Sequence, residues 1–351
     1  MRPGGDPDVS TQRQAFSVKP DKCLPFYHPT RVVFVDDDPA FLNLLPLRLG
    51  DLVPFLRFDS PRELLSEFAA GRLHGRLDLN WWDLYPGEGG EDLAEQLVGF
   101  DKSMIALRVF NRARFGLVTV LVADYQMPEM TGLDLFRALA HLPCKRILLT
   151  GQADEALAVQ AFNEGLIDLY LPKLHPRLDL ELNQAIQRFQ FAYLEQATHL
   201  ITQVLQAVDP VVWGDPAFAH FFYQVCEERG VVEYYAVSEP KGYWLLKADG
   251  RAEVMLLFAA WELDAQATAA AASRAPDGVV RRLRRRRSAL YFAQDDGDQV
   301  LSEPQWWEAC IPVHPFPGRG DRFYALIRNP ELLLLASDRV MGLRHYLDYP
   351  G

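Results

Sequence analysis

The chain has 351 residues, a length that suits two domains, and hydrophobic residues make up 49% of it, as in globular proteins. Its formal net charge of −11 disfavours general binding to nucleic acid or to an anionic membrane, although a local basic patch could still bind either. Four widely separated cysteines show no paired metal spacing, and no apolar stretch is long enough for a signal core or a membrane span. We therefore expect a soluble cytoplasmic protein with reduced thiols and no membrane partner.

The first 30 residues are rich in proline, glycine and charge, which predicts a mobile leader with local order near Phe26 and Tyr27. Residues 31–35 then form an apolar, β-branched run that predicts a buried strand. Adjacent carboxylates repel one another unless a cation or capping donors relieve them, so the acids after this strand predict a divalent metal site or, for the last of them, a helix cap. These three acids are Asp36, Asp37 and Asp38.

Three further strands end in residues that can take part in chemistry. Residues 118–123 deliver Asp124 to a loop broken by proline and glycine, a hydroxyl ends the next strand at Thr150, and an ammonium ends the last at Lys173. The ends of parallel strands lie along one edge of an open sheet, where such folds bind their ligands. Acids for a metal, a central aspartate, a hydroxyl and a lysine predict a site that handles phosphoryl groups.

On these motifs, residues 31 to about 190 resemble the receiver domain of two-component response regulators. The resemblance implies a flavodoxin-like, doubly wound α/β fold with five parallel strands. It also implies that a sensor histidine kinase or a phosphotransfer protein supplies the phosphoryl group, and that the chain is not itself an enzyme. The resemblance rests on four segments that occur in the same order as in receiver domains. They are the acids after residue 35, the loop from Asp124 to Gly132, the pair Thr150-Gly151, and the stretch Tyr170-Leu-Pro-Lys173.

The resemblance implies roles for the acids around the predicted metal. Asp124 would be the phosphoacceptor, and Asp36 and Asp37 would join it in holding Mg²⁺. The backbone carbonyl of Gln126 would be a further ligand. Mg²⁺ prefers oxygen ligands and keeps several waters, which suits this set. Without the metal, we expect the site to be inert.

The resemblance also implies a switch. Lys173 would contact the phosphoryl group, Thr150 would be the switch hydroxyl, and Tyr170 would be the switch aromatic. An ordinary position in the core is the alternative for Tyr170.

The receiver is expected to span residues 31–177 and to carry an insertion at about residues 71–116. Asp37 and Asp124 lie 87 positions apart, about twice the separation that the resemblance leads one to expect. Long insertions in compact domains tend to be functional or disordered, and we favour a surface that faces a partner or a second subunit. The alternative is that its aromatic residues pack back onto the domain.

A long helix is expected over residues 178–208, because an apolar stripe recurs every three or four residues without glycine or proline. The stripe includes Leu182, Ile186, Phe189 and Tyr193. It predicts either a linker helix that joins two subunits of a homodimer or an ordinary helix buried beneath the second domain.

Residues 209–351 are expected to form an α+β output domain with an antiparallel sheet. Three strand-like runs between residues 231 and 258 are separated by turn residues, and helical segments surround them. The order of elements is faintly PAS-like. The segment shows no helix-turn-helix, cyclase or phosphodiesterase signature.

An arginine run is the most conspicuous feature of the output domain. It predicts a solvated surface paired with nearby acids, a binding site for nucleic acid or nucleotide, or a contact for an acidic protein. The acids that could pair with it are Asp277, Asp295, Asp296 and Asp298. The run consists of Arg281, Arg282, Arg284, Arg285, Arg286 and Arg287.

Two functions follow from these observations. In the first, phosphorylation of Asp124 changes dimerisation or an output surface for a protein partner. In the alternative, it controls binding of nucleic acid or nucleotide by the output domain. The combination of an enlarged receiver with this output also resembles the response regulators of Lqs-type quorum-sensing systems in overall plan.

Overall fold

The computed structural model describes residues 20–78, 103–151, 155–238, 241–292, 301–317, 319–328 and 340–349. Its described residues form a five-stranded parallel sheet, a six-stranded antiparallel sheet and a two-stranded ribbon, with helices packed around them. The predicted fold class is confirmed: a five-stranded parallel α/β sheet with helices on both faces is accompanied by a separate antiparallel sheet.

A short strand of the antiparallel sheet comes first along the chain, and the parallel sheet with its helices follows. Two short 3-10 helices, Arg108–Phe110 and Arg112–Gly116, lead into its central strand. In order, the elements are β1 (Phe26–Tyr27), β2 (Arg31–Val35), α1 (Pro39–Arg48), β3 (Phe55–Phe58), α2 (Pro61–Ala69), α3 (Ser103–Leu107), β4 (Val118–Asp124), α4 (Gly132–Ala138), β5 (Lys145–Thr150), α5 (Glu155–Asn163), β6 (Leu169–Pro172) and α6 (Leu178–Ala197).

The elements of the antiparallel sheet and its helices follow. They are α7 (His199–Val208), α8 (Pro210–Gly214), α9 (Pro216–Arg229), β7 (Val231–Ser238), β8 (Lys241–Lys247), β9 (Ala252–Ala259), α10 (Ala260–Ala272), α11 (Asp277–Arg284), β10 (Ser288–Leu290), α12 (Glu303–Ala309), β11 (Cys310–Pro312), β12 (His314–Phe316), β13 (Arg319–Arg328) and α13 (Leu343–Asp348).

The parallel sheet has the strand order β3-β2-β4-β5-β6 and is covered on both faces. One core cluster joins Leu64 of α2 and Phe136 of α4 to the strands, and a second joins Leu45 of α1 and Ile186 of α6 to the opposite face. This explains why all seven residues of β4 are buried and read as a continuous apolar run. The helices therefore hold the strand ends in fixed positions.

The predicted long helix is two helices, and part of its stripe packs within its own chain. Thr198 separates α6 from α7, and its hydroxyl donates a hydrogen bond to the Leu194 carbonyl, an arrangement that often bends helices. Leu182, Ile186 and Phe189 pack onto the parallel sheet. Leu182, Ile186 and Phe189 are therefore covered by their own chain and are not available to a second subunit, whereas Leu200 of α7 is 62% exposed. The dimerisation role of residues 178–208 stays a prediction.

The last part of the expected mobile leader is a packed strand. Phe26 and Tyr27 form β1, which pairs antiparallel with β7, and Phe26 is fully buried. The local order expected near Phe26 and Tyr27 is therefore present. It extends over residues 23–30, which are all buried, so mobility is wrong for that part of the leader. A two-residue strand is too short to show a periodic pattern in sequence.

A buried ion pair joins the segment before β4 to the antiparallel sheet. Arg114 donates from Nε and Nη2 to the two carboxylate oxygens of Glu233 at 2.8 and 2.9 Å, and neither side chain is exposed to solvent. The Met341 carbonyl accepts a further hydrogen bond from Arg114, and Tyr235 donates one to Glu233. Such a network is stable only when every charged atom is satisfied, so it fixes the junction between the two sheets.

Several predicted features lie outside the described residues. They include the central tryptophans of the insertion, Trp81 and Trp82, and three acids near the arginine run, Asp295, Asp296 and Asp298. Within the described part of the chain, every helix is too short or too polar to cross a membrane.

We predict that Phe189→Ala destabilises the protein by about 3–5 kcal/mol, the usual loss when a buried phenylalanine leaves a cavity. Leu180→Ala is the matched control on the same helix, because Leu180 is 52% exposed whereas Phe189 is 8% exposed. Urea denaturation measures both. Equal midpoints for the two variants would contradict the packing of the stripe.

We also predict that Glu233→Gln lowers the free energy of unfolding by about 3 kcal/mol or more, because it leaves the Arg114 charge buried without a counter-charge. Glu228→Gln removes one charge from an exposed position in the neighbouring helix and should have little effect. Thermal melting of both variants tests this, and a stable Glu233→Gln protein would show that the pair does not hold the junction.

Candidate functional site

The predicted site lies at the carboxyl ends of β2 and β4. These strands are parallel neighbours with Val35 opposite Ala123, so the residues that follow them meet at one edge of the sheet. Asp36 and Asp124 are buried there, whereas Asp37 is exposed. The carboxylates therefore lie together at the strand ends, as the sequence predicts.

Lys173 lies between two of the carboxylates. Its Nζ is 2.7 Å from Asp36 Oδ2 and 3.0 Å from Asp124 Oδ1, and it lies 5.1 Å from the centre of the Phe41 ring. Burial acts to lower the pKa of Lys173, but the carboxylates of Asp36 and Asp124 outweigh it and raise the pKa above its ordinary value. The lysine therefore stays charged and offsets part of the repulsion between the acids.

The surroundings of Asp36 change the pKa of its carboxyl group. Burial raises the pKa of Asp36 above its ordinary value, and the nearby Asp124 charge acts in the same direction. Lys173 and the amide of Asp38, which donates to Asp36 Oδ1 at 3.0 Å, oppose this shift. A bound cation would favour the ionised form of Asp36 further.

The backbone around Asp124 is tightly constrained. The Gln126 amide donates to Asp124 Oδ2 at 3.2 Å, and the Gly132 amide donates to the Tyr125 carbonyl at 3.0 Å, which closes the loop. A Cβ atom at Gly132 would lie 2.3 Å from the Asp124 carbonyl oxygen. Only glycine fits this close approach between the start of α4 and the end of β4.

The three carboxylates fit a magnesium ion in chemistry and in spacing. One oxygen from each of Asp36, Asp37 and Asp124 lies within 4.8 Å of the others. Oxygens around one Mg²⁺ are about 3–4 Å apart, given Mg–O distances of about 2.1 Å, so the spacing of the three carboxylates is close to that of a magnesium ligand set. Three carboxylates and one ammonium leave two negative charges, which one divalent cation balances.

Thr150 and Tyr170 occupy neighbouring strands. Thr150 is buried at the end of β5, next to β4, and its carbonyl accepts a hydrogen bond from the Lys173 amide at 2.8 Å. Tyr170 of β6 lies opposite Leu148 of β5 and is partly buried against a core cluster of the domain. The structure thus brings both residues beside the segment that carries Lys173.

Other predicted residues lie elsewhere or have a structural role. Asp38 accepts a hydrogen bond from the Ala40 amide at 2.9 Å, which confirms the helix-cap alternative. The arginine run is in α11 and the turn after it, not at this site. Two features were not predicted from the sequence: the contact of Phe41 with Lys173, and the hydrogen bond of 2.8 Å that Ser60 donates to Glu129. None of Phe41, Ser60 and Glu129 is the last residue of a strand.

Comparisons with known proteins support the geometry. Residues 90–183 match the family model of the response regulator receiver domain. A 91-residue segment is 35% identical to the cyclic di-GMP phosphodiesterase response regulator RpfG of Xanthomonas campestris pv. campestris (strain 8004), covering 25% of this chain and 24% of RpfG. A 71-residue segment is 38% identical to the transcriptional regulatory protein FixJ of Rhizobium meliloti (strain 1021), covering 20% of this chain and 33% of FixJ. The chain thus matches a quarter to a third of the length of these curated relatives.

The similarity to RpfG corrects the expectation that the chain is not an enzyme. RpfG is a response regulator and a cyclic di-GMP phosphodiesterase, so a receiver of this kind also occurs in an enzyme. The prediction that the present chain is not an enzyme is therefore wrong, because the receiver motifs do not support it. A phosphoacceptor domain controls whatever follows it and does not exclude a catalytic output.

One solved structure resembles nearly the whole chain. The Legionella pneumophila response regulator LqsR is 27% identical, with a TM-score of 0.70, over 93% of this chain and 96% of that protein. The family match begins at residue 90 and so omits Asp36 and Asp37, which the fold itself brings to Asp124. Taken together, the acids at the sheet edge, the receiver match and this structural likeness show that the chain carries a receiver domain of the response-regulator family.

Proposed function

We propose that this protein is a phosphorylation-controlled regulator in which Asp124 accepts a phosphoryl group from a histidine kinase or a phosphotransfer protein. The observation that carries the proposal is the contact of Lys173 with Asp36 and Asp124 beside a third carboxylate at the same sheet edge. A structural ion pair needs one acid for one lysine. Two acids on one lysine, with a third carboxylate beside them, suit a site that binds a cation and handles an anion.

The chemistry follows from charge. An Asp124 oxygen attacks the phosphorus of a phosphohistidine, the O–P bond forms as the P–N bond breaks, and the imidazole leaves. Both the nucleophile and the phosphoryl group are anionic, so the transition state gathers negative charge. Lys173 supplies positive charge at 3.0 Å from the attacking carboxylate. When bound, Mg²⁺ would neutralise further charge on the phosphoryl oxygens.

The proposed metal ligands are Asp36, Asp37 and Asp124, with the Gln126 carbonyl as a fourth. Asp36 is held in place by Lys173 and by the Asp38 amide, so it offers a preorganised oxygen. Asp37 is exposed and can turn toward the ion. This combination leaves room for the waters that Mg²⁺ retains.

The proposed switch uses Thr150 and Tyr170. A phosphoryl group on Asp124 adds acceptor oxygens, and the Thr150 hydroxyl would turn toward them from the end of the adjacent strand. Tyr170 would then enter the vacated space. The output would pass between the sheets of one chain, since the α6 stripe is buried against its own domain. A homodimer formed through another surface remains a prediction.

We expect a small acyl phosphate with Mg²⁺ to add one phosphoryl group to the protein, and Asp124→Asn to remain unmodified in intact-mass measurements. Asp37→Asn should slow the reaction by roughly ten-fold or more, since even groups that only orient metal ligands have effects of that size. Chelation of Mg²⁺ should stop it.

Asp38→Asn is the matched control, because it changes the adjacent acid but keeps a good helix cap for α1. Its labelling rate should stay close to that of the parent protein. If Asp124→Asn were still labelled, or if Asp37→Asn and Asp38→Asn behaved alike, the assignment of the phosphoacceptor or of the metal ligands would fail.

We further expect Gly132→Ala to slow labelling and to cost about 1–3 kcal/mol of stability, because the new Cβ would displace the Asp124 backbone. Gly151→Ala is the control beside Thr150, since a Cβ there has nothing within 4 Å. Labelling and urea denaturation of both variants test the prediction. A Gly132→Ala protein with parental rate and stability would show that the loop tolerates the shift.

A further inference from the structure

The arginine run lies on the outer side of a helical pair. Val279, Val280 and Leu283 of α11 pack against Ala267 and Ala270 of α10 in one core cluster. Most of the remaining positions of α11 and the turn after it therefore lie on the solvent side. The exposed arginines are Arg281, Arg282, Arg284, Arg285 and Arg287.

Only part of this charge is balanced in the described structure. Arg286 pairs with Asp264 of α10 through two hydrogen bonds of 2.7 and 3.0 Å. Within the part of the chain that the structure describes, the other five arginines of the run make no ion pair. The expectation of a surface paired with its own acids thus applies to Arg286 alone among these residues.

Two exposed tryptophans flank the run. Trp261 is 69% exposed and lies one helical turn before Asp264, the partner of Arg286. Trp307 is 40% exposed, and its ring lies against the first turn of α11, where a Cβ at Gly278 would come within 2.8 Å of it. One tryptophan therefore adjoins each end of the arginine run. From Gly278 to Arg284, the last residue of α11, the separation along the helix is about 9 Å.

We propose that this face of the protein binds single-stranded nucleic acid, a function beyond the phosphoacceptor site and independent of it. We call it the arginine–tryptophan surface. It is defined by Trp261, Arg281, Arg282, Arg284, Arg285, Arg287 and Trp307.

The composition of the surface supports this ligand. Its cations are all arginines, whose planar guanidinium groups donate two hydrogen bonds to a phosphate and also stack on bases. Exposed indole rings provide faces on which unpaired bases stack. An acidic peptide would use the charge but not the two rings. Because the whole chain carries a net charge of −11, a polyanion would bind here only through such local contacts.

The geometry favours a single strand over a duplex. α11 is an eight-residue helix whose inner side is packed against α10, so it does not present a free helix for insertion into a major groove. Bases in a duplex are stacked on one another and are not available to Trp261 and Trp307. An unpaired strand can place its phosphates on the arginines and its bases on the rings.

The test is fluorescence anisotropy of the full-length protein with labelled single strands of mixed sequence. Strands of about 20 nucleotides exceed the ~4–16 nucleotides that one such site covers. Binding should weaken steeply from about 50 to 200 mM salt. Arg284→Gln with Arg285→Gln should lower affinity at least about ten-fold and reduce the salt slope by about 1.4, as expected for two lost phosphate contacts on a single strand.

Trp261→Ala should weaken single-strand binding by roughly five-fold or more and leave the salt slope unchanged, because it removes stacking and no charge. The control is Arg112→Gln with Arg177→Gln, which removes the same charge from two exposed arginines outside the surface. Circular dichroism and thermal melting establish that each variant is folded.

Parental binding by the control, together with losses in the arginine and tryptophan variants, would support the proposal. Absence of binding at low salt, or equal losses in the control and the arginine variant, would overturn it. Tighter binding of a duplex with no effect of Trp261→Ala would overturn the single-strand assignment. Competition by poly-glutamate as effective as that by unlabelled strand would instead favour an acidic protein partner.

Discussion

Repulsion among Asp36, Asp37 and Asp124 is the constraint on which the arrangement of the parallel sheet depends. Two of these acids are buried, so a counter-charge has to reach them. It comes from Lys173, although β6 lies two strands from β4, or about 10 Å. The Lys173 amide donates to the Thr150 carbonyl, so Lys173 directly follows the last paired residues of β5 and β6. Its side chain spans the remaining distance to Asp124 and Asp36, and its Nζ lies 5.1 Å from the centre of the Phe41 ring of α1.

The second sheet is attached at the opposite end of the parallel strands. Arg31, the first residue of β2, donates to the Tyr346 hydroxyl of α13, and Arg114 pairs with Glu233 just before β4 begins. The acids lie at the far ends of these same strands, about 17 Å away for a five-residue strand. Phosphorylation and the inter-sheet junction are therefore separated by the length of the sheet, so a change at Asp124 must be carried to the junction through packed elements.

The sequence predicted the site better than it predicted the contacts between the sheets. Each strand of the site ends in a polar residue after an apolar run, and parallel topology alone aligns those ends. The α6 stripe shows that one helix face is covered, but periodicity does not say by what, so the sequence left a second subunit and packing within one chain as alternatives. The structure shows that the parallel sheet covers Leu182, Ile186 and Phe189. Glu233 is a charge within an otherwise apolar strand, a signal of burial, yet its partner Arg114 is 119 residues away, and no local pattern pairs them.

Helix α6 is the element that physically connects the two ends. It begins five residues after Lys173 and is about 30 Å long. Its residues from Leu178 to Phe189 cover one face of the parallel sheet, and Tyr193 and Leu194 pack in the core cluster of the antiparallel sheet. Between these two parts, Gln190 donates to the Thr30 carbonyl at 2.6 Å, just before β2. Because packed helices move as units rather than deforming, a shift of Lys173 toward a phosphoryl group would displace α6 as a whole. Its displacement would then act on Thr30 and, through β1, on the edge of the antiparallel sheet.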